Sequence, residues 1–131
     1  MSESALEVEV IGDGGPSAPP AAEVERLIGI ALASAGVEEG HVAVEYVPEA
    51  RIAELNATHR GRRGPTDVLS FPIDEDGHPI GPRELGDIVI CPAQTGDLRE
   101  AILHGALHLT GMDHETDEGE MLALQAELLS W

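Results

Sequence analysis

The chain has 131 residues, enough to bury the core of one domain without disulfides, so we expect a single domain over residues 1–131. Its 25 acidic and seven basic residues give a formal net charge of -18, which disfavours long-range attraction of polyanions. One cysteine excludes an intramolecular disulfide and a zinc site of several thiolates, and no apolar run reaches the length of a membrane span, so we expect a cytoplasmic protein without a membrane partner.

The first half of the chain alternates predicted strands with predicted helices. Residues 5–11 alternate apolar and acidic side chains, which predicts a half-buried strand, and residues 20–35 carry apolar side chains at helical spacing. A second alternating strand is predicted at 41–47. Pro48 can then occupy the first turn of a short helix that ends near Thr58.

The second half of the chain is predicted to contain two strands and then two helices. The predicted strands cover 68–73 and 85–91, and the predicted helices cover 98–109 and 117–130. These elements predict an α+β fold in which a single four-stranded mixed sheet is packed with helices.

The last predicted helix has a recognisable start and a buried side. Asp117 and Glu120, three residues apart, resemble a capping pair at its N-terminus. Its buried stripe is predicted to consist of Met121, Leu122, Leu124, Leu128 and Leu129.

The strongest functional signal is the string HGALHLTGMDH at residues 104–114. His104 and His108 are four apart on a predicted helix, so their Cβ atoms lie about 5 to 6 Å apart on one face and both imidazoles can bind one metal ion. Gly111 can end the helix with a positive φ and return the chain so that His114 reaches the same ion. Three imidazoles leave one position open, as in a catalytic site, and favour one zinc ion, although nickel, copper or iron could bind there.

Residues near these histidines bear on the chemistry. Asp113 either orients an imidazole or handles protons, or it is a surface carboxylate at a helix end. Gly105 replaces the general base of an HExxH protease motif, and a glycine inside a helix, at a cost of about 1 kcal/mol relative to alanine, indicates close packing. Arg60 could hold the oxygens of a phosphodiester, or it could belong with Arg62 and Arg63 to an ordinary solvated cluster.

The chain contains three blocks, HGALHLTGMDH, LNATHRGRRGPTDVLSFP and LGDIVIC, that resemble motifs of the YbeY family of bacterial endoribonucleases over residues 55–114. The resemblance implies a single-strand-specific endoribonuclease that acts on the 3′ end of 16S rRNA and in ribosome quality control, with one zinc ion. His104, His108 and His114 match the family's metal-ligand positions, and Arg60 matches its functionally important arginine in a groove that receives RNA. The segment between residues 91 and 104 is shorter than in the family.

The leading hypothesis is therefore that zinc and Arg60 cleave single-stranded RNA, with His114 and Asp113 as further catalytic candidates and the nucleophile left open. A rival is a ribosome-associated protein that binds ribosomal partners and uses zinc mainly for its fold. A third hypothesis is a metal-dependent hydrolase of another substrate.

Overall fold

The computed structural model describes residues 6–72, 84–112 and 117–131. Its elements are β1 (Leu6–Ile11), α1 (Ala21–Ala33), β2 (Gly40–Tyr46), α2 (Glu49–Arg60), β3 (Val68–Pro72), β4 (Glu84–Ile90), a short 3₁₀ helix (Pro92–Gln94), α3 (Leu98–Leu109) and α4 (Glu120–Leu129). The strands form one sheet in the order β1-β2-β4-β3, in which β1, β2 and β4 are parallel and β3 is antiparallel to β4. The predicted α+β fold with one four-stranded mixed sheet is confirmed.

The helices cover both faces of this sheet. The larger core cluster joins α1, α3 and α4 to one face, where Val44, Ile88 and Ile90 are fully buried. A smaller cluster on α2, β3 and β4 includes Ile52 and Val89. Because successive strand residues point to opposite faces, Val89 lies in a different cluster from its neighbours Ile88 and Ile90.

The N-terminus of α3 is fixed by a cap and by an ion pair with α1. Asp97 Oδ1 accepts hydrogen bonds from the backbone N–H groups of Arg99 at 3.0 Å and Glu100 at 3.2 Å. Arg99 Nη2 lies 2.9 Å from Glu23 Oε2 on α1. The hydrogen bond from Arg26, with a smaller effect of Arg99, lowers the pKa of Glu23 to about 2.

Gly105 allows α3 to approach the sheet closely. A Cβ at this position would lie 2.6 Å from Cγ2 of Ile88 and 3.2 Å from Cγ2 of Val68. Ser70 Oγ on β3 also donates a hydrogen bond to the Gly105 carbonyl oxygen at 2.9 Å. The close packing expected from a glycine inside this helix is confirmed.

The predicted end of the second helix was wrong by two residues. α2 continues past Thr58 to Arg60, because Gly61 closes the helix in the left-handed conformation, with a φ of 67°. The extra residues carry the helix end to the start of the arginine-rich connection. Residues 5 and 73, which were predicted as strand ends, lie outside the described residues.

The predicted start of the last helix was also wrong, since α4 begins at Glu120. The Asp117 carboxylate accepts from the backbone N–H groups of Gly119 at 2.8 Å and Met121 at 2.9 Å, so it caps the helix from outside. Glu120 Oε2 accepts from the Glu118 N–H at 2.7 Å and is not the capping partner of Asp117.

The buried stripe of α4 differs from the predicted one in one member. Leu122 is 47% exposed, and the polar Gln125 is buried with Met121 and Leu128. Leu124 and Leu129 are partly buried against the core, as predicted. None of the helices in the described ranges is long and apolar enough to cross a membrane.

Candidate functional site

His104 and His108 lie one turn apart on α3 with their rings directed at each other. Their Nε2 atoms are 3.1 Å apart, and the ring centroids are 4.7 Å apart with planes at 81°. Two nitrogens bound to one tetrahedral zinc at about 2.0 to 2.1 Å would lie about 3.3 Å from each other. The pair therefore has the spacing of two ligands on a single ion.

An oxygen atom faces Nδ1 of each ring. His108 Nδ1 lies 3.0 Å from the carbonyl oxygen of Met112, which can only accept, so this nitrogen carries a hydrogen. His104 Nδ1 lies 2.7 Å from Oε1 of Gln125 and donates to it. In the neutral form of both rings, which is the form that binds a metal ion, these hydrogen bonds leave the lone pairs on the two Nε2 atoms.

Lone pairs at such a distance repel each other unless a cation lies between them. A shared proton or a metal ion removes this repulsion. Metal-ligating imidazoles characteristically donate their other N–H group to an oxygen, and both His104 and His108 do so. The donor set thus fits a metal ion.

The oxygen partners of the two rings were missed by the sequence analysis. Gln125 reaches His104 from α4 and is only 8% exposed. A polar residue between Met121 and Leu128, at helical spacing on the buried side, is the signal that could have revealed it. The Met112 carbonyl follows Gly111, whose φ of 98° confirms the predicted turn at the end of α3.

His114, the predicted third ligand, and Asp113 lie outside the described residues. Within the described ranges, no three His, Cys, Asp or Glu side chains are grouped as a metal site would require. The third ligand and the role of Asp113 therefore stay predictions.

A cleft of about 640 Å³ opens beside the histidine pair. Its wall is formed by the end of α2, the connection that follows, β3 and the end of α3. The polar side chains on the wall are His59, Arg60, Arg62, Thr66, Asp67, Ser70, His104 and His108. The structure thus brings Arg60 and Arg62 into the same cleft as the two histidines.

Asn56 shapes the connection that carries Arg62. Its side chain is 4% exposed, and Nδ2 donates a hydrogen bond to the carbonyl oxygen of Gly64 at 2.9 Å. The Arg62 N–H donates to the backbone carbonyl of Asn56 at 3.3 Å, across the left-handed Gly61. These two hydrogen bonds, which the sequence analysis did not identify, hold the connection against the end of α2 and position it at the cleft.

Asp67 lies on the cleft wall and was not selected by the sequence analysis. Its Oδ1 accepts hydrogen bonds from the Val68 N–H at 2.9 Å and the Thr66 hydroxyl at 3.3 Å. Its carbonyl oxygen accepts from the Cys91 N–H at 2.9 Å. These bonds order the start of β3, so Asp67 has a structural role at the cleft.

Comparison with known proteins identifies the family to which this chain is related. The sequence profile of the family described as Endoribonuclease YbeY matches residues 19–131. The Endoribonuclease YbeY of Geobacillus thermodenitrificans is 41% identical over 129 residues, covering 82% of the chain and 83% of the relative. That of Corynebacterium diphtheriae is 35% identical over 150 residues, covering 95% of the chain and 75% of the relative.

The length of that last alignment shows a difference between the two proteins. An aligned region of 150 positions exceeds the 131 residues of the chain, so the Corynebacterium relative carries residues that this chain lacks. A structural match is the solution structure of TM1509 from Thermotoga maritima, with a TM-score of 0.50 and 26% identity over 94% of the chain and 87% of that structure.

Proposed function

The chain belongs to the YbeY family of endoribonucleases, and from this premise we propose that it is a zinc-dependent endoribonuclease specific for single-stranded RNA. Its proposed roles are maturation of the 3′ end of 16S rRNA and ribosome quality control, in the cytoplasm and in contact with the ribosome or its proteins. The observation that carries the proposal is the joint placement of two convergent imidazoles and two arginines in one cleft.

The proposed metal ligands are His104, His108 and His114. Zinc bound there would act as a Lewis acid toward a phosphodiester oxygen. The hydrogen bonds to Gln125 and Met112 fix the tautomer and orientation of two rings, which reduces the reorganisation that metal binding requires. We propose that Asp113, beside the third ligand, holds or transfers a proton.

Arg60 and Arg62 are proposed to bind the RNA backbone. An arginine is always charged and can donate two parallel hydrogen bonds to phosphate oxygens. Arg60 stands at the end of α2, and Gly61 turns the chain so that Arg62 also lines the cleft. Together they supply positive charge where the chain as a whole is strongly acidic.

Cleavage of an RNA that spans the 3′ end of 16S rRNA tests the proposal. The purified protein should contain one zinc per chain and cut this RNA, while Arg60→Ala and His114→Ala should each abolish the cut. Arg51→Ala is the matched control, because Arg51 lies on the exposed side of the same helix, paired with Glu54, and should leave cleavage unchanged.

Two results would contradict the proposal. Cleavage that persists equally in Arg60→Ala and His114→Ala would identify a contaminating nuclease. Stoichiometric zinc without any RNA cleavage, together with binding to ribosomes that survives Arg60→Ala, would identify the metal as mainly structural.

A further inference from the structure

His59 lies on the wall of the cleft, next to the arginine proposed to bind phosphate. It is the second-last residue of α2, and its side chain is exposed to solvent and lines the cleft. Arg60 follows it directly. Because both side chains line the same cleft, a nucleotide whose phosphate binds Arg60 could place a neighbouring base against the His59 ring.

The His59 ring is held in place by Phe71. The ring centroids are 4.3 Å apart, with the planes tilted by 45°. Phe71 lies on β3 and packs against the smaller core cluster, which includes Ile52 and Val89. An exposed ring with such a support loses little conformational freedom when a ligand binds against it.

His59 offers the cleft an aromatic surface on which a base could stack. Among the described residues that line the cleft, His59 has the one aromatic ring outside the His104 and His108 pair. An unpaired nucleobase offers a π face to such a ring, and stacking of this kind is a common basis of single-strand binding. A base inside a duplex is already stacked on its neighbours and is paired to the other strand.

We propose that His59 is a stacking platform for an unpaired base of the RNA substrate and so contributes to selection of single strands. This inference rests on the proposed function, because it requires RNA in the cleft. It assigns a task to a residue that does not bind the metal or the phosphate. The competing explanation is that His59 only covers Phe71 from solvent.

Two substitutions of His59 distinguish stacking on a base from shielding of Phe71. His59→Leu keeps an apolar side chain over Phe71 but has no π face, whereas His59→Phe keeps a planar ring. Stacking predicts that His59→Leu weakens binding of a single-stranded RNA oligonucleotide about tenfold and that His59→Phe stays within about threefold of the wild type. Binding of a duplex of the same sequence should be equal in all three proteins.

Equilibrium binding is measured by fluorescence anisotropy, with oligonucleotides in which one nucleotide at a time lacks its base. At the stacked position, loss of the base should weaken binding to the wild type and cause no further loss in His59→Leu. Equal affinity of His59→Leu and the wild type for the intact single strand would overturn the inference. Equal weakening on single strand and duplex, or a defect of the same size in His59→Phe, would overturn it as well.

A direct spectroscopic test uses His59→Trp. Stacking on a base should quench the added indole when single-stranded RNA binds, beyond any change seen in the wild type, whose one tryptophan is Trp131. No additional quenching at saturating RNA would contradict stacking. Thermal unfolding of each variant shows whether a change in binding reflects a change in folding.

The outcomes also distinguish this inference from the proposed function. If the wild type neither binds nor cuts single-stranded RNA, the proposed function fails and the stacking role fails with it. If the wild type does both and His59→Leu does both equally well, only the stacking role fails.

Discussion

Gln125, which lies on another helix, is an orienting partner of His104. Gln125 on α4 is buried, and its Oε1 accepts the hydrogen of His104 Nδ1 at 2.7 Å, which turns Nε2 toward His108. We predict that Gln125→Leu lowers the affinity for zinc about 10- to 100-fold, because the His104 ring loses the bond that fixes its tautomer. Competition with a chromogenic chelator measures this affinity without reference to RNA cleavage.

Gln125→Glu is the matched variant, since it keeps an acceptor at the same place. It should bind zinc at least as tightly as the wild type. Unchanged affinity in Gln125→Leu would show that the contact with α4 does not orient the ligand.

His41 joins three strands of the sheet through its ion pairs. His41 on β2 pairs with Glu84 on β4 at 2.8 Å and with Glu9 on β1 at 3.3 Å. The hydrogen bond to Glu84, with a smaller effect of Glu9, raises the pKa of His41 above its usual 6.5. The stability that this charge contributes is present in full below the unfolded pKa and is lost as the pH rises through the folded pKa.

A titration followed by NMR should therefore place the His41 pKa above 6.5, and Glu84→Gln should lower it. Glu39→Gln, an exposed change two residues before His41, should leave it unchanged. A wild-type pKa at or below 6.5 would show that the ion pairs do not form in solution.

Features of the site that depend on local helix geometry could be predicted from the sequence. The spacing of His104 and His108 on a helix predicted their convergence, because residues four apart share a face. The spacing of α4 could have shown that Gln125 is buried, but the partners of Gln125 and Asn56 could not be predicted, since each acts through a tertiary or loop contact that no short spacing specifies.

At Gly105, α3 packs closely against the sheet. A methyl group at position 105 would collide with Ile88, 2.6 Å away, and press on Val68. We predict that Gly105→Ala destabilises the protein by about 1 to 3 kcal/mol, because this overpacking outweighs the gain in helix propensity of about 1 kcal/mol. Urea unfolding measures the change, and zinc affinity should fall in parallel as α3 is displaced.

Gly29 provides a control, because its substitution by alanine should change the free energy of unfolding in the opposite direction. It is also inside a helix, α1, but among the described residues outside that helix's own backbone a Cβ there would meet only Leu6 Cδ2, at 3.9 Å. Gly29→Ala should stabilise the protein by about 0.5 to 1 kcal/mol. If both variants were stabilised, the close approach at Gly105 would not be rigid.

The helices and strands could be predicted from the spacing of apolar side chains. Their first and last residues depended on caps. The helix at 98–109 was predicted with its observed bounds, since Asp97 caps it and apolar side chains recur through it. The start of α4 was placed three residues early because Asp117 does cap this helix, but from outside it. Sequence alone does not distinguish these two positions of one aspartate.

The fold of the molecule depends on the order of strands in the sheet, which the spacing of apolar residues does not predict. A four-stranded mixed sheet was predicted, but not that β3 is an edge strand, next to β4 and away from β1. This order lets the end of α2, on one face, and the end of α3, on the other, meet beside β3 to form the cleft. In the segment between residues 91 and 104, which was predicted to be shorter than in the family, residues 91–97 precede α3.

The net charge of the chain should oppose the local attraction that we propose between the cleft and RNA. The formal charge of -18 repels a polyanion over long distances. Salt weakens this repulsion, because charges separated by more than the Debye length, about 8 Å at physiological ionic strength, are largely screened. Arg60 and Arg62 act over hydrogen-bond distances, and salt weakens them through competing counterions. Rising salt therefore changes the two contributions in opposite directions.

The salt dependence of RNA binding should consequently be shallow. Two phosphate contacts on a single strand give a slope of log K against log salt of about -1.4, and screening of the repulsion should make the observed slope less negative than this. Anisotropy titrations between about 50 and 200 mM salt measure it. Arg62→Gln should make the slope less negative by about 0.7, because one contact is lost. A slope steeper than -1.4 in the wild type would require further phosphate-binding groups beyond these two arginines, and the cleft would not be the whole of the RNA-binding surface.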